Sequence, residues 1–256
     1  MSAWAIGALA PRPGAAPLGR MLTAQTKAEL TLLLRNGEQL LLTLVIPLGL
    51  LIVLTKVDVV TVSGNRAGFF VPGVMALAVM STAFTGQAIA IGFERQYGVL
   101  KRLGATPLPR TVLLGAKTLA VLAVELVQLM LIASLGLVLG WDPHGSVLGV
   151  LLLVVLGTAS FSGLGLLLGG TLRGLTTLAT ANLLWFVMLV LGGVLFPLSR
   201  FGAAQDVLQL LPTAALSHGL RAVLQHGAHA PARDVLALVG WSIASLGAAS
   251  RFFRWE

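Results

Sequence analysis

The sequence predicts an all-α integral membrane protein with six transmembrane helices. Three observations carry that prediction. Of 256 residues, 57% are hydrophobic and only 10% are charged, whereas a soluble domain carries about 25% charged residues. So few charges cannot cover a globule, and a mean hydropathy of +0.94 suits a bilayer as solvent. Six apolar runs, at 39–55, 69–93, 111–140, 146–170, 175–198 and 232–252, approach or exceed the about 20 residues of helix that span a hydrocarbon core. Fourteen of the seventeen Lys and Arg residues fall outside these runs, as membrane spans require.

The formal net charge of +8 suits an anionic inner leaflet. No basic patch is interleaved with aromatics, so nucleic acid is not an expected partner. The chain has no cysteine, which excludes disulfides, cysteine-ligated metal and thiol catalysis.

Taken in order, residues 1–19 are rich in Pro, Gly and Ala and are expected to form a disordered cytoplasmic tail. Ala8-Leu9-Ala10 mimics a signal-peptidase site. No Lys or Arg precedes the apolar stretch, so a cleaved signal is not favoured. Residues 20–256 are expected to form one transmembrane domain. Arg20–Arg35 reads as an interfacial helix, with Arg20, Lys27, Thr31 and Arg35 near one face and Leu22, Leu30, Leu33 and Leu34 on another. The first span is short and carries Pro47, which should kink it. The third is longer than a bilayer needs and should tilt or protrude. Gly136/Gly140 and Gly165/Gly169 place small residues one turn apart, where helix backbones approach closely. Between spans five and six, Pro212 and a capping Thr213 open a segment to His226. There Leu216, Leu220, Val223 and Leu224 share one face. It is expected to be re-entrant or interfacial.

With six spans, both termini lie on one side. That side holds eleven Lys and Arg residues and the other holds five, with Lys117 inside the third span. The bias places both termini in the cytoplasm.

The stretch FERQYGVLKRLGATPLPR, Phe93 to Arg110, interrupts this pattern between spans two and three. Wound as one helix from Glu94 to Gly104, it puts Glu94, Arg95, Lys101 and Arg102 within about 120° of arc. Tyr97, Val99, Leu100 and Leu103 occupy the opposite side. The two Pro residues at 107 and 109 end it. A polar face of mixed sign with an aromatic nearby suits a protein partner as well as a membrane.

Intramembrane ionisable groups are functional candidates. Lys117 lies about 10 Å along the third span, close enough to snorkel to the cytoplasmic headgroups. Glu125 lies about 20 Å along, with Gln128 nearby. This pair lines a solvated pathway or forms a buried structural hydrogen bond. Gln87 and Asn182 are better suited to interhelical hydrogen bonds than to substrate. His218, His226 and His229 gather between spans five and six. No supporting carboxylate stands at a suitable spacing, so no metal site is expected. No nucleophile and base stand out, so no catalytic residue is expected.

The Phe93–Arg110 stretch resembles the cytoplasmic segment of ABC type-2 transporter permeases of the drug-efflux kind. The matching residues are Glu94-Arg95, Gly98, Leu100-Lys101-Arg102-Leu103 and Thr106-Pro107. The Pro in span one, GGVLFPL at 192–198 and LLPTAALSHGLRAVL at 210–224 fit as well. In the last, the acidic residue common in the family before Leu-Arg is missing.

The resemblance implies a permease subunit of an exporter in a bacterial cytoplasmic membrane. It implies pairing with a second permease subunit, as a homodimer or heterodimer, and with a separate ATPase. Glu94, Arg95, Tyr97, Gly98, Leu100, Lys101, Arg102 and Leu103 would form the coupling helix seated in that ATPase. Glu125, Gln128, Gln87 and Asn182 would be polar groups of the pathway. ATP and magnesium would be bound by the partner, with no cofactor on this chain. The sequence agrees in one respect, because it carries no G-x-x-x-x-G-K-[ST]. Three other readings stand beside this one: a proton-coupled carrier using Glu125, a lipid-modifying membrane enzyme for which no polar interfacial cluster is found, and a scaffold.

Overall fold

The computed structural model describes residues 15–57 and 64–253. Most of the expected tail, the connection at 58–63 and the last three residues lie outside that description, as does the side chain of Gln39. All regular secondary structure among the described residues is helical. Five helices are long and apolar enough to cross a membrane, and up to seven spans result if each of two bent pairs counts as one.

Helix α1 (Leu18–Arg35) is followed at Asn36 by α2 (Gly37–Lys56), which runs through Pro47 without ending. The second span, Arg66–Gln96, is the centre of the bundle. It consists of α3 (Arg66–Met80), a π-helical turn at Ser81–Gly86, and α4 (Gln87–Gln96). Asn65 caps it, its side-chain oxygen accepting from the amides of Ala67 and Gly68. Ala67, Gly68 and every residue from Phe70 to Met80 are buried, as expected of a helix apolar on all sides and surrounded by others.

Helix α5 (Val99–Gly104) follows, then α6 (Arg110–Val138), α7 (Val147–Thr171) and α8 (Gly174–Leu191). At 29 residues, α6 is about 43 Å long, so it projects beyond a hydrocarbon core of about 30 Å. A 3₁₀ turn at Leu198–Ala204 leads through α9 (Gln205–Leu208) into α10 (Pro212–His226) and α11 (Ala232–Phe252). The bend between Leu198–Leu208 and α10 is 118°, the shape of either a broken span or a re-entrant loop. Helix α10 buries its Leu216, Leu220, Val223 and Leu224 stripe against α3, α7 and α11.

The glycine pairs have two different uses. A Cβ at Gly165 would meet the Phe84 carbonyl at 2.6 Å, and one at Gly169 would meet the Ala88 carbonyl at 2.6 Å. Helix α7 therefore lies backbone to backbone against the second span, as the small-residue spacing predicted. In the other pair, a Cβ at Gly136 would meet the Val71 side chain of α3 at 2.8 Å, whereas Gly140 has φ +86°, open space around it, and makes a left-handed turn after α6. Replacing Gly165 by Leu must push α7 off the π turn. The expected cost is about 1–3 kcal/mol, typical of overpacking, read as a lower thermal midpoint in detergent.

Three expectations about these helices are corrected. The fifth span ends at Leu191, not Leu198, because Gly192 and Gly193 turn the chain, with Gly193 at φ +67°. Thr213 does not cap α10: Leu211 is the cap residue and the Thr213 hydroxyl donates to the Met80 sulfur at 3.2 Å. Glu94–Gly104 is not one helix. It breaks at Tyr97 and Gly98, the latter in the left-handed region at φ +72°, where glycine alone is unstrained.

Candidate coupling site and its ion triad

The break at Gly98 redistributes the charges of the Phe93–Arg110 stretch. Glu94 and Arg95, still on α4, turn into the bundle. Arg95 donates to the carbonyls of Gly170 and Leu172 at 3.3 Å each, placing a cation at the C-terminal end of α7, where the helix dipole is negative. Past Gly98, Leu100 is fully buried among Ile91, Leu113, Leu166 and Phe253, with Leu103 packed beside it. It fastens α5 to the bundle. Lys101 and Arg102 are exposed, and Tyr97 is 69% exposed while stacking on Phe93. Of the charged and aromatic residues expected to meet a partner, Tyr97, Lys101 and Arg102 are exposed, as is Val99, whereas Glu94 and Arg95 are half-buried.

Lys117 does not snorkel. Its ammonium is buried and donates to Glu29 Oε2 and Glu94 Oε1, both at 2.8 Å. Gln25 donates to the other Glu29 oxygen at 2.8 Å. The triad joins α1, α4 and α6. Glu29 holds one ammonium contact and faces inward, on the same side of α1 as Leu22 and Leu33. That i, i+7, i+11 register was visible in the sequence, and a carboxylate on it was the missed signal. Two carboxylates 2.8 Å from Lys117 outweigh headgroup solvation as a partner, which is why the side chain stays inside.

The polar groups assigned to a pathway are not brought together. Glu125 is fully buried and accepts a hydrogen bond from Thr158 of α7, while its Oε1 has no partner among the described residues. Gln128 donates to the Thr43 carbonyl at 2.6 Å and accepts from Thr82 at 3.2 Å. Gln87 donates to the Lys117 carbonyl and to Ser162. These link α2, α6, α7 and the second span. Asn182 is exposed on α8.

At the opposite end, Arg221 donates to the carbonyls of Phe69, Gly193 and Val194 at 3.1, 2.7 and 3.0 Å. Its guanidinium lies 3.9 Å from the Phe69 ring centroid. It satisfies the chain just beyond the C-terminus of α8 and locks α10 against α3. His218 does have a carboxylate partner: its Nδ1 lies 2.6 Å from Oδ2 of the buried Asp234, at the start of α11. Asp234 lies sixteen residues downstream of His218, beyond the reach of a spacing argument. Among the described residues no three His, Cys, Asp or Glu side chains gather as a metal ion would require.

Compared with models of known families, the chain matches the one described as ABC-2 type transporter over residues 21–224. That match runs from α1 through α10 and includes both the triad and α5. A comparison with curated proteins gives no match.

Proposed function

Because the chain belongs to the ABC-2 type transporter family, we propose that this multi-pass membrane permease is the membrane subunit of an exporter. It works as a dimer, driven by a separate ATPase that docks on α5 at the cytoplasmic end. The observation that carries the reading is the short α5 helix. It exposes Val99, Lys101 and Arg102 beside the exposed Tyr97 that ends α4, while Leu100 anchors it in the bundle.

Motion imposed on α5 has a mechanical route inward. Leu100 ties it to α6, α7 and α11. Through Gly98 it continues into α4, which Arg95 fastens to α7 and the Glu29–Lys117–Glu94 triad fastens to α1 and α6. A push at α5 therefore moves several helices as one body. The π turn at Ser81–Gly86 is the natural place for the second span to flex, since such turns interrupt the regular hydrogen-bond ladder. Alternation between inward- and outward-open forms is then a rigid-body exchange about that turn. The second subunit has a fitting surface on α8, where Leu175, Ala179, Asn182 and Phe186 form an exposed stripe. An amide within an apolar stripe favours a helix partner over lipid. ATP and magnesium belong to the ATPase.

The test is co-purification from gently solubilised membranes. The native chain is expected to recover an ATPase subunit, and the exposed-face double variant Lys101→Glu/Arg102→Glu to lose it while still inserting and remaining folded. Equal recovery by both would place the docking surface elsewhere.

A further inference from the structure

A cavity of about 610 Å³ lies between the end of α4 and the start of α8, at the end of the bundle that carries α5. Gly92, Arg95 and Gln96 line it from one side, and Arg173, Leu175 and Thr176 from the other. Its volume falls within the range of about 300–1,000 Å³ usual for small-ligand sites. Both charged residues of this lining are arginines.

The walls are fixed in advance. A Cβ at Gly92 would meet Thr177 of α8 at 3.0 Å, so α4 and α8 close together beside the cavity. Arg95 is held by the Gly170 and Leu172 carbonyls at 3.3 Å each, which sets its charge at the cavity wall and leaves little ordering for a ligand to offset. Arg173 is exposed and long enough to turn its guanidinium onto a bound anion. Gln96 and Thr176 add neutral donors. Guanidinium groups favour phosphate, whose oxygens match their planar fork. The surroundings choose the source of that phosphate. The second span and α8 are both long and apolar enough to cross a membrane. Leu175, 72% exposed, leads from the cavity onto the apolar outer face of α8. An acyl chain fits that face, whereas a water-soluble anion gains nothing from it. Basic pockets between helix ends at a membrane surface take anionic lipid headgroups.

We propose that this cavity binds the phosphate of an anionic phospholipid, with Arg173 in contact with it, Arg95 as the fixed charge and an acyl chain along Leu175. The inference does not use the transport reading, and binding needs neither ATP nor a partner chain.

The experiment titrates the full chain in non-ionic detergent with phosphatidylglycerol, and separately with zwitterionic phosphatidylcholine, and counts bound lipid by native mass spectrometry. The native chain is expected to retain phosphatidylglycerol at concentrations where phosphatidylcholine is lost. Arg173→Gln should weaken that retention by about tenfold or more, the equivalent of one charge-assisted hydrogen bond. Thr176→Trp, which fills the cavity from an exposed position and leaves both arginines in place, should abolish it. Arg251→Gln removes the same charge from the exposed end of α11, outside this lining, and should bind as the native chain does. Equal retention of the two lipids would overturn the proposal. So would an unchanged affinity in a folded Arg173→Gln protein, retained binding in Thr176→Trp, or an equal loss in Arg251→Gln. Soluble competitors test the source of the anion. Displacement of the lipid by glycerol phosphate would assign the arginines to a free phosphate, and displacement by hexaglutamate to an acidic protein segment. Either result would overturn the lipid assignment, and failure of both to compete is the expected outcome.

Discussion

Lys117→Met is expected to destabilise the protein by about 3–5 kcal/mol, the usual result of removing one member of a buried ionic cluster. The substitution conserves most of the volume, so packing is nearly unchanged. What it leaves is two carboxylates, Glu29 and Glu94, that each lose an ammonium at 2.8 Å. The 6% exposure of Lys117 leaves little water to replace it. The measurement is the thermal midpoint in detergent, followed by size-exclusion. A second variant separates electrostatics from shape. In Glu29→Gln/Lys117→Met/Glu94→Gln all three charges are gone, and most of the lost stability should return, because neutral replacement of a whole buried cluster is often tolerated. A Lys117→Met protein as stable as native would mean that the triad is solvated.

Arg221→Met should be comparably severe. It removes the donors to three carbonyls, those of Phe69, Gly193 and Val194. Each buried acceptor left without a donor costs about 1–3 kcal/mol. The cation over the Phe69 ring at 3.9 Å adds about 0.5–2 kcal/mol. Arg221→Lys should recover only part of this, since an ammonium cannot reproduce the planar fork that reaches separate carbonyls. The checking experiment is again thermal unfolding, with proteolysis near residues 192–204 as a local readout. Full rescue by Lys would show that charge alone matters there, and that the three-carbonyl geometry does not.

The contrast between these two residues shows what a sequence of this kind exposes. Helices whose signal is local were legible. Helix α11 spans Ala232–Phe252, the bounds read from its apolar run after Pro231. The Gly165/Gly169 spacing announced a close helix contact, which the structure provides. Partners distant in the chain were not legible. Glu29 and Lys117 are 88 residues apart, and Arg221 and Phe69 are 152 apart. Nothing in the spacing of either pair marks it. The broken helix at Gly98 failed for a different reason. Periodicity treats Glu94–Gly104 as one cylinder and has no term for a left-handed residue. One glycine therefore turned Lys101 and Arg102 away from Glu94 and Arg95, which stay half-buried on α4. The surface expected to meet a partner shrank to Tyr97, Val99, Lys101 and Arg102. The π turn, too, has no composition of its own: Ser81–Gly86 reads STAFTG and is shaped by its contacts with α7, Gln128 and Trp185.

The central claim is that α5 is where an ATPase engages this chain. The absence of native cysteine makes a direct measurement clean. A single cysteine at Val99 or Arg102, labelled with a benzophenone maleimide in intact membranes and irradiated, should yield an adduct. Mass spectrometry should identify the attached chain as one carrying a nucleotide-binding G-x-x-x-x-G-K-[ST] sequence. A cysteine at Val138, 83% exposed at the far end of α6, should yield none. Adducts from Val99 or Arg102 to lipid alone, or the same ATPase captured equally from Val138, would contradict the account.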